Sequence, residues 1–331
     1  MAAPNTRIVT ENLQQQEAQH YVPKFYLKGF TDPQGCLWVC EKHKPIRASK
    51  PKLEANRPDY YTHTEKGERD TSAENDLQQV ESRAAPIIRR LANPQFEIKP
   101  AELGDLYLFV AFMFVRVPSW REHLDTLFTE TVKREQIRTA SDKESFHKRC
   151  LEIEEMSGKP LGDYERLRQY ILKGEYRIIQ ESRAFNLASM FDSGITVARL
   201  LQSFSYEILY APKESSFLTS DSPVFTVMPD GKGTASIGMG FGWRDVQVHF
   251  PLNKRACLRL RRGVHPSAVW LHPRSMSTIN KVIMATATRY AYSSQGLRRI
   301  GRLFDLYGCK VRPGETSFVT RPPKDSEIKL L

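Results

Sequence analysis

The chain has 331 residues, of which 40% are hydrophobic and 26% are charged. These proportions are typical of a globular protein and exclude an intrinsically disordered one. A chain of this length can form a core that needs no disulfides.

The N-terminal segment is polar and has no apolar stretch of the kind that forms a secretory signal. The longest apolar run, 106–115, is about half of the roughly 20 residues needed to span a bilayer, so we expect a buried helix and no membrane contact. Five cysteines and no export signal predict a reducing, cytoplasmic location. Cys36 and Cys40 lack two further ligands at zinc-site spacing and are interpreted as thiols.

The predicted elements, in chain order, begin with a polar arm at 1–19, which we expect to be disordered. Pro23 opens a short helix at 24–30, and strands are predicted at 36–41 and 59–62. Capping-box patterns at 71–74 and 119–122 open two of the following helices. These helices are predicted at 71–91, 101–116, 119–138, 143–156, 163–173 and 181–202.

Period-two patterns follow the helical block. They predict strands at 206–210, 216–219, 224–227, 246–250, 257–261, 290–293 and 304–310, with one helix at 275–288. Clustered helices followed by clustered strands indicate an α+β fold. We expect a single domain at 20–312, in which a central helical block (about 71–203) packs on a mostly antiparallel sheet formed by the N-terminal and C-terminal segments. The sheet-rich part covers about 206–312, and 313–331 is predicted to be a loose tail.

Several local strings resemble a known family. Residues 20–30 read His-Tyr-Val-Pro-Lys-Phe-Tyr-Leu-Lys-Gly-Phe, and residues 218–224 read Leu-Thr-Ser-Asp-Ser-Pro-Val. Between them lie a helix with two glutamates and an Arg-Val-Pro step at 116–118, and Phe-Pro-Leu follows at 250–252. Over roughly 20–295 the chain resembles the bacterial family known as domain of unknown function 4238. The resemblance implies an α+β fold and a bacterial or phage-linked origin, and it implies no activity.

Positive charge is concentrated near the C-terminus. Residues 246–304 contain 11 Lys or Arg and no carboxylate, so they must pair with acids elsewhere or face an anionic partner, with nucleic acid first. Alternating Leu and Arg at 258–261 predicts a strand with one apolar and one cationic face. The predicted phosphate contacts are Arg259, Arg261, Arg262, Arg298, Arg299 and Arg302.

Four residues form the candidate chemical site. Glu74 and Glu81 are seven residues apart and therefore lie within about 20° of each other on one helix face. If His20 and Asp221 converge with them, the set suits Mg²⁺ or Mn²⁺, which could activate water for phosphoester hydrolysis.

Arg116 and Arg121 would then hold a phosphate or orient the carboxylates. The alternatives are local roles for the four residues. Glu74 would complete a capping box, Glu81 would pair with Arg116, His20 would bond a helix end, and Asp221 would cap nearby N–H groups.

Three functional hypotheses follow. The first is a metal-dependent phosphodiesterase or nuclease, as in a defence or toxin effector. The second is a non-catalytic nucleic-acid-binding protein, and the third is a protein-interaction module whose arginines pair internally. The sequence has no nucleophile elbow, zincin motif or Walker loop. The glycines of 238–242 precede a strand, so they are interpreted as a connector.

Overall fold

The architecture is α+β. A computed structural model describes residues 17–65, 68–95, 97–176, 178, 182–229, 235–311 and 317–319. The helices are α1 (Lys24–Lys28), α2 (Ser72–Arg90), α3 (Pro100–Val115), α4 (Pro118–Ser141), α5 (Lys143–Ser157), α6 (Tyr164–Lys173), α7 (Arg183–Leu201), α8 (Pro273–Thr286) and α9 (Arg298–Tyr307).

The strands form two larger sheets and two small ones. They are β1 (Ala18–His20), β2 (Leu37–Glu41), β3 (Arg47–Ser49), β4 (Asn56–Pro58), β5 (His63–Glu65), β6 (Glu68–Asp70), β7 (Ser205–Tyr210), β8 (Thr219–Ser220), β9 (Phe225–Pro229), β10 (Ala235–Ile237), β11 (Gln247–Pro251), β12 (Ala256–Arg261), β13 (Ser267–Trp270), β14 (Tyr290–Ser293) and β15 (Ser317–Val319). The seven-stranded sheet has the order β13-β7-β12-β11-β9-β10-β15, and the four-stranded sheet has the order β3-β2-β14-β8. Pairs β1–β4 and β5–β6 stand apart.

The expected single sheet is therefore two. All strands of the seven-stranded sheet come from the C-terminal part, and only the β13–β7 pair is parallel. The N-terminal and C-terminal segments meet in the four-stranded sheet, where β2 pairs antiparallel with β14. Because β14 pairs with β2, the segments that precede and follow the helical block are held together.

Helix α3 is the centre of the helical block. It is apolar on nearly all sides, as the sequence predicts, and it packs between α2 and α7. Gly194 allows the close approach of α7, because a Cβ at this position would lie 2.8 Å from the ring of Phe112. The core continues from α3 to the sheets through Phe109, which lies against Phe250 of β11.

Several local predictions were wrong. The strand expected at 304–310 is largely the second half of α9, because Ile300 and Phe304 are four residues apart and share the buried face of a helix. Neither predicted capping box forms. The side chain of Thr71 makes no cap bond, and α4 starts one residue early at Pro118. Residues 59–62 form a turn in which Asp59 has a φ of 47°.

No helix in the described part of the chain is both long and apolar enough to cross a membrane.

Candidate functional site

Four residues of the predicted site lie in one region: His20, Glu74, Glu81 and Arg116. Arg116, which caps α3, donates from Nη1 to Oε1 of Glu81 on α2 at 2.8 Å. Burial and the charge of Lys24 lower the pKa of His20, and the backbone of Lys52 and Pro51, with a smaller effect of the Glu81 carboxylate, partly offsets this. Burial also raises the pKa of Glu74, and the charge of Glu81 adds to the rise. The two glutamates therefore act on each other from one side of α2, as their spacing predicts.

Each of these carboxylates already has a partner. Glu74 Oε2 accepts a hydrogen bond of 2.5 Å from Nε2 of Gln19. The same amide group bonds the hydroxyl of Thr62 and accepts from the backbone N–H of Tyr61, so it joins β1 to α2. Glu81 is engaged by Arg116, which is the local pairing that the sequence offered as an alternative. The imidazole Nε2 of His20 is buried and has no partner among the described residues.

Asp221 has a different environment. It is 3% exposed, and its carboxylate accepts backbone N–H bonds from Thr288 at 2.8 Å, Arg289 at 2.8 Å and Tyr290 at 3.0 Å. Burial raises the pKa of Asp221 to about 6, although these three bonds oppose the rise. All the bonding of this carboxylate is used to close the turn between α8 and β14. Its surroundings support a structural role.

The ligand set predicted for Mg²⁺ or Mn²⁺ is not assembled. Across the residues that the structure describes, no three His, Cys, Asp or Glu side chains are grouped so that they could hold a metal ion. A metal at His20, Glu74, Glu81 and Asp221 therefore stays a prediction, and no chemical step is derived from it.

The arginines of β12 pair internally. Nε of Arg259 lies 2.8 Å and Nη1 of Arg261 lies 3.3 Å from the same carboxylate oxygen of Glu207. Glu207 stands opposite Arg259 in the β7–β12 register, so the ion pairs cross neighbouring strands. Arg262 donates to two backbone carbonyls and lies 3.9 Å from the centre of the Phe204 ring. The leucines at 258 and 260 are fully buried, as the alternation predicts.

The arginines of α9 are in a different situation. Arg298, Arg299 and Arg302 are exposed, and none of them has a hydrogen bond or ion pair with another described residue. The opposite face of α9 is buried through Ile300 and Phe304. Helix α9 therefore presents three free guanidinium groups to solvent.

A recess beside Arg116 collects hydrogen-bond donors. We call it the Arg116 recess; it is lined by Arg116, Trp120, Arg121, Arg183, Asn186 and the paired tyrosines 60 and 61, together with apolar side chains. Three of its buried donor atoms have no partner in the described part of the chain: Nε of Arg116, Nε1 of Trp120 and Nδ2 of Asn186. Buried donors of this kind are rare in folded proteins and usually contact water or a ligand.

The guanidinium group of Arg116 is enclosed. The residue is 2% exposed, Nη2 lies 2.9 Å from the sulfur of Met113, and Glu81 is its one carboxylate partner among the described residues. Arg121 makes no ion pair with any described residue, and exposed Arg183 donates to the carbonyls of 59 and 62. Burial raises the pKa of both recess tyrosines, so their hydroxyls stay neutral. The recess therefore carries an excess of positive charge.

The Arg116 recess holds about 30 Å³. This is room for a small polar group, since a water molecule needs at least about 10–15 Å³ of such space. A single oxygen-rich group of a ligand fits better than a whole nucleotide.

A second and larger cavity lies on the other side of Trp120. We call it the apolar cavity; its volume is about 420 Å³, and its lining includes Met113, Phe114, Val197, Val224, Phe225 and Phe241. Its polar residues include Ser119, His123 and Ser222. The hydroxyl of Ser222 bonds that of Ser119 at 2.8 Å and that of Thr288 at 2.9 Å. Burial lowers the pKa of His123, which favours a neutral imidazole.

The sequence pointed to only part of this arrangement. Arg116 and Arg121 were predicted to hold a phosphate, and both line the recess. Arg183 and Asn186 were missed, because they come from α7, more than sixty residues further along the chain, and no local pattern marks them. The apolar cavity was also missed, since a volume left between packed elements has no signature in one segment.

No curated protein and no solved structure matches the chain. The model of the family described as Protein of unknown function (DUF4238) matches residues 18–296. The match covers most of the 331 residues, and the chain therefore belongs to this family.

Proposed function

We propose that this protein binds a small ligand through a phosphate or carboxylate group that occupies the Arg116 recess. The observation that carries the proposal is the buried guanidinium of Arg116. Its Nε has no partner among the described residues, and two further donors of the recess residues also lack one there. An anion in the recess would bring several acceptor oxygens to the residues that carry these donors.

The energetics favour an anion over an empty recess. An unsatisfied buried donor costs about 1–3 kcal/mol, and more when the group is charged. Glu81 neutralises Arg116 from one side, but Arg121 and Arg183 add charge to the recess that no described carboxylate balances by contact. Charge-assisted bonds from guanidinium to phosphate or carboxylate are roughly twice as strong as neutral ones. Three guanidinium groups around one small volume favour phosphate.

Calorimetric titration with inorganic phosphate tests the proposal, with sodium chloride at equal ionic strength as the reference. We expect saturable binding that Arg121→Gln weakens at least tenfold, because Arg121 lines the recess without an ion-pair partner. The matched control is Arg134→Gln, which removes the same charge from an exposed position of α4 outside the recess. Equal loss in both variants, or no binding of phosphate and acetate by the native protein, would refute the proposal.

Metal-dependent hydrolysis of nucleic acid is the catalytic extension of this proposal. It draws support from Glu81, which pairs with Arg116 and whose charge acts on both His20 and Glu74, so that a carboxylate and an imidazole would be near a bound phosphate. Labelled RNA and DNA incubated with Mg²⁺ or Mn²⁺ should be cleaved, and both EDTA and His20→Ala should stop the reaction. If neither nucleic acid is cleaved, ligand binding without hydrolysis remains.

Nucleic-acid binding by α9 is a second candidate function, favoured by its three exposed and unpaired arginines. Each phosphate contact contributes about 0.9 to the slope of log affinity against log salt. Replacing all three arginines by glutamine should therefore reduce the slope by about 2.7 and weaken binding to all sequences alike. An unchanged slope would exclude α9 as the contact. A control variant replaces three exposed arginines elsewhere, at Arg134, Arg166 and Arg274.

A further inference from the structure

The apolar cavity has the size and chemistry of a ligand site. Its volume of about 420 Å³ lies within the range of roughly 300–1,000 Å³ that is typical of small-molecule sites. Aromatic and aliphatic side chains form most of its wall, and a few hydroxyl and imidazole groups converge on it. Such a lining accepts uncharged carbon groups and disfavours ionised ones.

The cavity and the Arg116 recess share a wall. Along the first two turns of α4, Ser119 and His123 line the cavity, whereas Arg121 and Leu124 line the recess. Trp120 lines both, and its buried Nε1 has no partner among the described residues. The cationic site and the apolar site therefore adjoin at this indole ring.

Asp221 supports the wall of the cavity. Its carboxylate binds the backbone of 288–290, and the next residue, Ser222, bonds the hydroxyl of Thr288 and lines the cavity with Val224. Two of the strings in which the chain resembles the family, 116–118 and 218–224, thus contribute to this cavity through Val117, Ser222 and Val224.

We propose that the apolar cavity binds the aromatic or branched aliphatic part of the same ligand whose anionic group occupies the Arg116 recess. This inference rests on the proposed function, and it assigns the ligand to the class of small amphipathic acids, namely carboxylates or phosphate monoesters with a bulky apolar group. A cavity of about 150 Å³ holds one benzene ring, so 420 Å³ provides room for nearly three rings of that size.

Two fluorescent probes separate the two halves of the site. Phenylnaphthylamine is neutral and reports the cavity alone, whereas anilinonaphthalene sulfonate carries the same rings with an anionic group. We expect saturable binding of both, with the sulfonate at least tenfold tighter. Arg121→Gln should remove that advantage and leave the neutral probe unaffected.

A cavity-blocking variant provides the structural control. Gly240 lines the cavity, and a Cβ added there meets nothing within 4 Å, so Gly240→Phe adds an aromatic residue to the lining without a clash at its Cβ. Gly242 has equally open surroundings and lies outside the cavity lining, which makes Gly242→Phe the matched control. Gly240→Phe should weaken both probes at least tenfold without changing phosphate binding, and Gly242→Phe should change neither.

Two results would overturn the inference. Neutral-probe binding that is absent, or that is equal in the Gly240→Phe and native proteins, would show that the cavity is not the site even if phosphate still binds. A sulfonate probe that binds no tighter than the neutral one would show that the two sites do not share a ligand. Failure of phosphate to bind while the neutral probe responds to Gly240→Phe would instead refute the proposed function and leave an apolar site alone.

Discussion

The buried imidazole of His249 should make the protein sensitive to mild acid. His249 lies on β11 with 4% of its surface exposed, its ring stacks on Phe225 at 5.3 Å, and its Nδ1 has no partner among the described residues. Burial, together with the charges of Arg259 and Arg261, lowers the pKa of His249 to about 3. The folded protein therefore keeps this imidazole neutral at a pH where an unfolded chain protonates it.

The sign and the size follow from proton linkage. Between pH 6.5 and 3 the unfolded chain binds a proton that folded His249 does not, so this residue lowers the free energy of unfolding as the pH falls. At pH 5, which is 1.5 units below the usual pKa of about 6.5, the loss is about 2 kcal/mol. His249→Phe keeps an aromatic ring against Phe225 and removes the titration, so the variant should escape this loss.

Urea unfolding at pH 7, 6 and 5 measures the effect. The stability difference between variant and native protein should grow by about 2 kcal/mol in favour of the variant from pH 7 to pH 5. Asp221 acts in the opposite direction, because its raised pKa of about 6 makes the folded state gain stability as the pH falls towards 4. That contribution is common to both proteins and cancels in the difference. Between pH 7 and 8 the two curves should be parallel, and parallel curves down to pH 5 would show that folded His249 titrates normally.

The remaining predictions concern packing and buried charge, and urea unfolding tests each of them. Gly194→Ala should destabilise the protein by about 1–3 kcal/mol because the added methyl group meets the ring of Phe112 on α3. Gly104→Ala, at a position of α3 where the methyl group meets nothing, should stabilise the protein by up to about 1 kcal/mol. Equal effects of the two variants would refute this account of helix packing. Asp221→Ala should destabilise by at least about 2 kcal/mol, since three backbone donors lose their acceptor, and a neutral effect would show that water replaces the carboxylate. Glu81→Gln should destabilise the protein by about 3–5 kcal/mol because it leaves buried Arg116 without a countercharge. Arg116→Met should destabilise it less, because the residue left unpaired is Glu81, which is the more exposed of the two.

Periodicity alone determined much of the fold. An apolar pattern on nearly all sides of 101–116 predicts a central helix, and α3 lies at the centre of the helical block. Alternation at 258–261 predicts an apolar and a cationic face, and β12 has both. These properties depend on side chains a few residues apart, whose directions the local backbone geometry sets. The strand predicted at 304–310 was wrong because Ile300 and Phe304 share a face at helical spacing, whereas the prediction assumed a period of two.

Partners and cavities depended on the tertiary structure. No local pattern marks Glu207 as the partner of Arg259 and Arg261 from fifty residues away, because the strand register brings them together. In the same way, α7 brings Asn186 to the recess beside Arg116. Hydrogen bonds and ion pairs require contact within a few ångströms, and only the packing of distant segments sets those distances. The volumes on either side of Trp120 are what that packing leaves unfilled.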